Sequence, residues 1–202
     1  MRDVLVIRFS SLGDVAIASA VIEAIHAQLP SCRINLLTKE IYAPLFESDP
    51  RVNRVIGIRS GEPPSAIVQQ TGEVFDAVID LHSSLRSIAV AALLRSSRKF
   101  RVSKHSLARR IMIWSRNRYR RSFDVLGSYL ETLRPLGVAG KALPRLYPAH
   151  ESLAEAQNIL SEYRRCSGKL IGIAPGSLHA EKRWSPESYA LLADKLVSRG
   201  DV

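Results

Sequence analysis

The chain has 202 residues, 46% of them hydrophobic, which is enough apolar surface for one domain of ordinary size and part of a second. Its 29 Lys and Arg against 19 Asp and Glu give a net charge of +10, which favours polyanionic partners: phosphorylated sugars, nucleotides, anionic lipid or nucleic acid. Cys32 and Cys166 match neither a zinc-ligand spacing nor the disulfide framework of a small secreted domain, and the apolar run after Met1 is too short to span a membrane. The composition therefore predicts a packed cytoplasmic protein with no signal peptide and no transmembrane segment.

The first half of the chain alternates short apolar runs, typical of buried parallel strands, with helical patterns. We predict five strands, at Asp3–Phe9, Arg33–Leu37, Arg54–Ile58, Phe75–Leu81 and Lys99–Val102. Helices are predicted at Asp14–Leu29 and Ser83–Leu94, the second with Ser83 or Ser84 as its N-cap. This alternation indicates an α/β fold built on a Rossmann-like parallel sheet.

The second half begins with a predicted helix at Phe123–Leu136, after which glycines and prolines suggest a linker, at Gly137, Gly140, Pro144 and Pro148. We place the domain boundary near His150, which gives domains at 1–150 and 151–202. Beyond it we predict a helix at Ser152–Tyr163, a strand at Lys169–Ala174 and a helix at Pro186–Val197. A single strand cannot form a doubly wound sheet, so residues 151–202 are expected to be the incomplete beginning of a second Rossmann-like domain.

A polar loop, Ser10 to Asp14, joins the first predicted strand to the first helix, where open parallel sheets keep their ligand crevice. Gly13 permits close backbone approach, and the hydroxyls of Ser10 and Ser11 can bind a polar ligand. Asp14 can act as a general base on a substrate hydroxyl. The alternative is that Asp14 only caps the helix, and spacing alone leaves both interpretations open.

A second candidate loop runs from Ala174 to Trp184, ahead of a helix that Ser185 and Pro186 open. Ser177 can present a hydroxyl and Lys182 a mobile positive charge, which together suit the diphosphate of a nucleotide leaving group. A capped, solvated loop that binds nothing is the alternative interpretation.

The segments VLVIRFSSLGDVAIASAVIEAI and IGIAPGSLHAEKRWSPESYALLADKL resemble the ADP-heptose:lipopolysaccharide heptosyltransferases, glycosyltransferase family 9. Between them, FDAVIDLHSSLRSIAVAALL resembles the family's fourth strand and following helix, except that His82 and Ser83 stand where Gln and Gly are expected. The role of His82 is therefore left open, although it would face the same crevice as Asp14 in a parallel sheet.

The resemblance implies a GT-B fold, with the sugar acceptor on the N-terminal half and ADP-heptose on the C-terminal half. It implies inverting transfer of heptose to the lipopolysaccharide inner core, at Kdo or at an earlier heptose. Asp14 corresponds to the family's catalytic base, and Ser10 and Gly13 to ligand-facing positions of the same loop. Ser177 and Lys182 correspond to contacts of the donor diphosphate.

The sequence contains no Asp-x-Asp segment that would bridge a metal ion to a diphosphate. We therefore expect a metal-independent mechanism without a cofactor, in which ADP-heptose is the donor substrate. The lysine, the hydroxyl and the helix amides can meet the developing charge.

Basic residues concentrate between Arg95 and Arg121. Three interpretations are open: a solvated surface, a clamp for the Kdo carboxylates and lipid A phosphates of the acceptor, or a nucleic-acid patch, which is the least favoured. For a clamp the predicted acceptor contacts are Arg98, Lys104 and Arg109. A lipid acceptor also implies peripheral contact with the inner face of the inner membrane.

The family's later Asp-Thr-Gly…His motif, which helps to hold the donor, lies beyond Val202, so we expect the 202-residue chain alone to transfer little or no heptose. The rival hypothesis is a non-catalytic basic domain that binds phosphate, nucleic acid or a membrane. Its affinity would fall steeply with salt and would not respond to ADP. The transferase would instead depend on Asp14 for the chemical step.

Overall fold

The chain forms two compact units, Met1–Ala149 and His150–Val202, in a computed structural model. The structure describes residues 2–72, 74–103, 124–163, 170–177 and 180–199. The acceptor and donor roles assigned to the two domains remain predictions.

The first unit is built on a parallel sheet whose described strands follow the order β3-β2-β1-β4-β5. The strands are β1 (Asp3–Ile7), β2 (Arg33–Lys39), β3 (Val52–Ile58), β4 (Phe75–Asp80) and β5 (Ser96–Arg101). Each overlaps a strand that the hydrophobic pattern predicts. The expected Rossmann-like α/β fold is therefore confirmed.

Helices α1 (Leu12–Gln28), α2 (Pro64–Thr71), α3 (Leu85–Leu93) and α4 (Val125–Glu131) connect or flank the strands, with 3₁₀ turns at Glu40–Leu45 and Arg134–Leu136. Ser84 is the N-cap of α3, since its Oγ accepts a hydrogen bond from the Ser87 N–H at 3.1 Å. Helix α2 was not predicted because its eight residues are too few to show a helical period. Helix α4 ends at Glu131, before the predicted Leu136, and a separate 3₁₀ turn that contains Pro135 follows at Arg134–Leu136.

Successive residues of each strand point to opposite faces of the sheet, so the sheet carries two cores. Val4 and Val6 are fully buried in the core that contains α1 and residues of α4. Leu5 and Ile7 are fully buried in the other core, which contains residues of α2 and α3. Burial on both faces explains why the strands read as continuous apolar runs.

The predicted linker after Gly137 is fastened to the first unit by hydrogen bonds to α1. The Gln28 side chain donates to the carbonyl of Ala139 at 2.9 Å and accepts from its N–H at 3.0 Å. The N–H of Arg145 donates to Ser19 Oγ at 2.9 Å. Residues 139–145 therefore belong structurally to the first unit.

A buried charge network holds the end of the same segment. Arg51 is 6% exposed and pairs with Asp49 at 2.6 Å and Glu23 at 2.5 Å. It also donates to the carbonyl of Arg145 at 2.8 Å. The ring of Tyr147 lies 4.6 Å from the guanidinium carbon of Arg51 and 4.8 Å from that of Arg145.

The second unit contains α5 (His150–Tyr163), a 3₁₀ turn (Ala180–Lys182) and α6 (Pro186–Ser198), and none of its described residues is buried. The prediction of a strand at Lys169–Ala174 is wrong for its described part, since residues 170–174 have no regular secondary structure. Leu170, Ile171 and Ile173 are 38–46% exposed. A strand needs a neighbour to complete its hydrogen bonds, and the described part of this unit holds no other strand.

Candidate functional site

The candidate site of the first unit lies where the strand order reverses. Connections from β1 run towards β2 and those from β4 run towards β5, so a crevice opens between the carboxyl ends of β1 and β4. Residues 10–14 follow β1, and residues 82–84 follow β4. The parallel pairing of β1 with β4 brings both loops to this edge, as the sequence predicts for Asp14 and His82.

Asp14 is the third residue of α1, and its carboxylate is anchored through one oxygen. Oδ2 accepts hydrogen bonds from Ser11 Oγ at 3.0 Å and from the Ser11 N–H at 3.3 Å, and Arg8 Nη2 lies 2.5 Å from the same oxygen. No described residue donates to Oδ1. The contact with Ser11 is one half of a capping box, so the helix-capping interpretation of Asp14 holds, while the second oxygen is left for a ligand.

Arg8 is a candidate site residue that the sequence analysis did not identify. It follows directly after β1, is 8% exposed, and donates from Nη1 to the carbonyl of Leu81 at 2.7 Å. Its guanidinium carbon lies 5.6 Å from the centroid of the Tyr129 ring on α4. The sequence feature that could have identified Arg8 is its charge directly after the apolar run Val4–Ile7.

The ionisation of this cluster follows from burial and charge. Partial burial alone would raise the pKa of Asp14, but the positive charge of Arg8 and the hydrogen bonds from Ser11 and Arg8 outweigh it and hold that pKa below its usual value. Burial raises the pKa of Tyr129 to about 12, and its hydroxyl has no hydrogen-bond partner among the described residues. At neutral pH Asp14 is therefore ionised and Tyr129 is neutral.

The other predicted residues of this loop leave room for a ligand. Ser10 is partly exposed, and Ser11 and Gly13 are exposed. A Cβ added to Gly13 would meet no described atom within 4 Å, so packing within the described protein does not require a glycine there. Close approach of a ligand remains the predicted reason for Gly13.

The turn after β4 is held by the buried carboxylate of Asp80. Its Oδ1 accepts from the N–H groups of His82 at 2.9 Å and Ser83 at 2.8 Å, and Oδ2 accepts from Ser87 Oγ at 3.0 Å. Ser83 has a φ of 49°, a left-handed conformation that glycine adopts most readily, which explains why Gly is expected at this position. The His82 ring packs against Phe9 with centroids 5.1 Å apart.

The predicted acceptor cations are not gathered at the crevice as far as the structure describes them. Arg98 pairs with Ala77 in the middle of β5, whereas Arg101 occupies the carboxyl end, where its Nε lies 3.7 Å from Asp80 Oδ2. Lys104 and Arg109 lie outside the described residues. All three acceptor contacts therefore stay predictions.

In the second unit the predicted donor residues Ser177 and Lys182 lie before α6. Arg183 Nε donates to the carbonyl of Ser177 at 2.6 Å, which ties the two ends of the loop together. Lys182 ends the 3₁₀ turn and is exposed. Ser185 caps α6, since its Oγ accepts from the Ser188 N–H at 3.2 Å.

The described residues contain no group of three or more His, Cys, Asp or Glu side chains placed to hold a metal ion. None of the described helices combines the length and the apolar character needed to cross a membrane.

No known family model and no curated protein sequence matches the chain. Its fold is nevertheless shared with solved glycosyltransferases. A glycosyltransferase family 9 structure from Veillonella parvula aligns with a TM-score of 0.79 at 22% identity, over 98% of this chain and 60% of that chain.

Two structures from E. coli are also similar. Heptosyltransferase WaaC with ADP aligns with a TM-score of 0.64 at 18% identity, over 98% of this chain and 65% of that one. ADP-heptose lipopolysaccharide heptosyltransferase II aligns with a TM-score of 0.64 at 21% identity, over 99% and 62%. At these identities the likeness establishes the fold, and the chain spans 60–65% of the length of the three structures.

Proposed function

We propose that this chain is part of an inverting, metal-independent heptosyltransferase that uses no cofactor and moves heptose from ADP-heptose to the lipopolysaccharide inner core, at Kdo or at an earlier heptose. The shared fold supports a glycosyltransferase, and the names of the E. coli structures support heptose as the sugar. The observation that carries the proposal is the Asp14 carboxylate at the switch point of the sheet, anchored through Oδ2 with Oδ1 left open.

In this mechanism Asp14 Oδ1 takes the proton from an acceptor hydroxyl. The hydroxyl oxygen forms a bond to the anomeric carbon of heptose from the face opposite the diphosphate. The bond between that carbon and the diphosphate oxygen breaks, and ADP leaves with the electron pair. Asp14 is suited to this step because it is ionised at neutral pH and about one third exposed.

The leaving diphosphate would be bound by the loop before α6. Lys182 supplies a positive charge and Ser177 a hydroxyl, and the bond from Arg183 to the Ser177 carbonyl links Ser177 to the neighbour of Lys182. The exposure of Lys182 leaves its ammonium accessible to a nucleotide.

The acceptor would be a lipid A–Kdo molecule, bound by Ser10, Ser11 and Gly13 and by the basic tract with Arg98, Lys104 and Arg109. Three apolar side chains just past the carboxyl ends of β1, β2 and β4 support contact with a membrane surface. Leu12, Ile41 and Leu85 are 55%, 77% and 89% exposed. The protein would then work in the cytoplasm, at the inner face of the inner membrane.

Donor binding is tested by calorimetric titration of ADP into the chain. We expect Lys182→Ala to weaken binding about tenfold, as loss of one partly solvated charge-assisted contact does. Lys195→Ala is the matched control, an exposed lysine of the same unit on α6, and should bind ADP like the wild type. Affinity for RNA that falls steeply with salt, without any response to ADP, would favour the non-catalytic basic domain instead.

The chemical step is tested with radiolabelled ADP-heptose and a Kdo–lipid A acceptor in an extended protein that includes the donor-holding Asp-Thr-Gly…His motif, because the 202-residue chain alone is expected to transfer little or no heptose. Asp14→Asn should lower transfer by about 10²–10⁴-fold, as loss of a general base does, while ADP affinity stays nearly unchanged. Transfer at the wild-type rate in Asp14→Asn would contradict the proposed role. Loss of ADP binding in the same variant would assign Asp14 a structural role.

A further inference from the structure

Arg8 is a buried cation that has no role in the transfer mechanism proposed above. It lies at the end of β1, is 8% exposed, and its side chain reaches the turn after β4, the start of α1 and the ring of Tyr129 on α4. Burying a guanidinium is unfavourable unless it is paired, and an apolar residue would continue the pattern of β1. The pairing partners therefore indicate what the residue does.

The two ends of the guanidinium fork have different partners. Nη1 donates to the carbonyl of Leu81 at 2.7 Å, and Nη2 lies 2.5 Å from Asp14 Oδ2. The Leu81 N–H in turn donates to the carbonyl of Ile7 at 3.0 Å, so this carbonyl is part of a rigid strand end. A planar, bidentate group can hold Asp14 at a set distance from β4 in a way that a single ammonium cannot.

All described donors to Asp14 converge on one oxygen. Arg8 and both donors of Ser11 contact Oδ2, and no described residue donates to Oδ1. A carboxylate that only capped the helix would need Ser11 alone. Arg8 adds orientation, since it restricts rotation of the carboxylate about its own axis.

We propose that Arg8 is a positioning residue for the transfer reaction: it fixes Asp14 through Oδ2, with the Leu81 carbonyl as its anchor, and so presents Oδ1 to the acceptor hydroxyl. This inference rests on the proposed role of Asp14 as the base. Position is what makes the arrangement effective, since an ion pair by itself makes a carboxylate a weaker base.

The groups facing Asp14 define the controls. Arg8 approaches from the end of β1, Tyr129 from α4, and Ser11 from the loop itself. Tyr129 is neutral over the range in which a carboxylate titrates, because burial raises its pKa to about 12. Tyr129→Phe therefore keeps the ring beneath Arg8 and should leave the titration of Asp14 unchanged.

The first experiment is a ¹³C NMR titration of the Asp14 carboxyl in the 202-residue chain, with the signal assigned by its absence in Asp14→Asn. We expect the pKa to be lowest in the wild type and in Tyr129→Phe, higher in Arg8→Lys, and highest in Arg8→Gln. Amide spectra establish that each variant is folded, and Arg8→Lys carries the test if Arg8→Gln does not fold. Equal Asp14 titration in the wild type and in the folded Arg8 variants would overturn the inference.

The second experiment measures transfer as a function of pH in the extended protein that includes the donor-holding Asp-Thr-Gly…His motif. Arg8→Lys should lower kcat about 10²-fold, the size of effect that a misplacement of about 1 Å produces, with KM for the acceptor nearly unchanged. Transfer requires ionised Asp14, and the pKa of Asp14 is expected to be higher in Arg8→Lys. On acidification, transfer activity should therefore begin to fall at a higher pH in Arg8→Lys than in the wild type. If Arg8→Lys changes neither kcat nor the acid side of the pH profile while Asp14→Asn abolishes transfer, the role of Arg8 is overturned. Full activity in Asp14→Asn would instead overturn the proposed function itself.

Discussion

The two units contain similar sequence patterns but differ completely in burial. In Met1–Ala149 the strands carry fully buried Val, Leu and Ile on both faces of one sheet. In His150–Val202 the described helices and the apolar run Leu170–Ala174 bury no residue. A pattern of apolar residues therefore identifies a candidate element, while burial depends on the neighbours that the fold supplies.

The same contrast separates the candidate loops of the two units. Asp14 is held by contacts from β1 and from its own loop, and Arg8 links it to β4 and α4. Ser177 and Lys182 are organised by one local bond from Arg183. Among the described residues, the first loop is preorganised by long-range packing, whereas the second is held by a local bond.

The largest effect is expected from Arg51→Met, which breaks the buried network of the first unit. Asp49, whose side chain is fully buried, would lose its counter-charge, and we expect the free energy of unfolding to fall by about 3–5 kcal/mol. Urea unfolding followed by circular dichroism measures this change in the free energy of unfolding. The control is Arg134→Met, whose pair with Glu131 is exposed on both sides and should contribute about 1 kcal/mol or less. Equal losses in the free energy of unfolding would mean that the buried network stabilises the protein no more than an exposed ion pair does.

A matched pair of leucines compares the units directly. Leu36→Ala opens a cavity in the core of the first unit and should cost about 2–5 kcal/mol in the free energy of unfolding. Leu191→Ala on α6, where the side chain is 60% exposed, should change it by about 0.5 kcal/mol or less. The same urea experiment measures both. A large loss at Leu191 would mean that the second unit buries this residue in solution.

Tyr129 should make the stability of the first unit fall at alkaline pH. Its pKa is raised to about 12 by burial, whereas in the unfolded chain it ionises near 10, so its contribution to stability is complete below pH 10 and is lost as pH rises towards 12. Two pKa units correspond to about 2–3 kcal/mol. Absorbance titration should show one of the six tyrosines ionising last, and that step should vanish in Tyr129→Phe. Six tyrosines that ionise together near pH 10 would contradict its burial.

The smallest effect on stability is expected from Gly13→Ala, at the exposed start of α1. Since an added Cβ meets no described atom, the free energy of unfolding should change by about 0.5 kcal/mol or less, while acceptor binding weakens. Gly57→Ala is the contrasting variant, because its Cβ would lie 3.1 Å from Glu40 Cα and should cost about 1–3 kcal/mol. Unchanged acceptor affinity in Gly13→Ala would mean that Gly13 does not contribute to acceptor binding.

The sequence by itself determined the order of the strands along the first unit and the position of its candidate loop. Apolar runs of the correct length and the helical period after Asp14 are local properties, so β1, α1 and β4 could be predicted to within a few residues. The same local reasoning placed Ser10 to Asp14 at the carboxyl end of a strand, where the structure has them.

Only the tertiary structure decided which charges meet and which strands form. Arg8 and its Leu81 partner are 73 residues apart in the chain, and Arg51 and Arg145 are 94 apart, so no local pattern could connect them. The run at 170–174 has the composition of a strand, yet a strand forms only when a neighbour accepts its hydrogen bonds. Contacts between distant residues depend on how the whole chain packs, which spacing along the sequence does not contain.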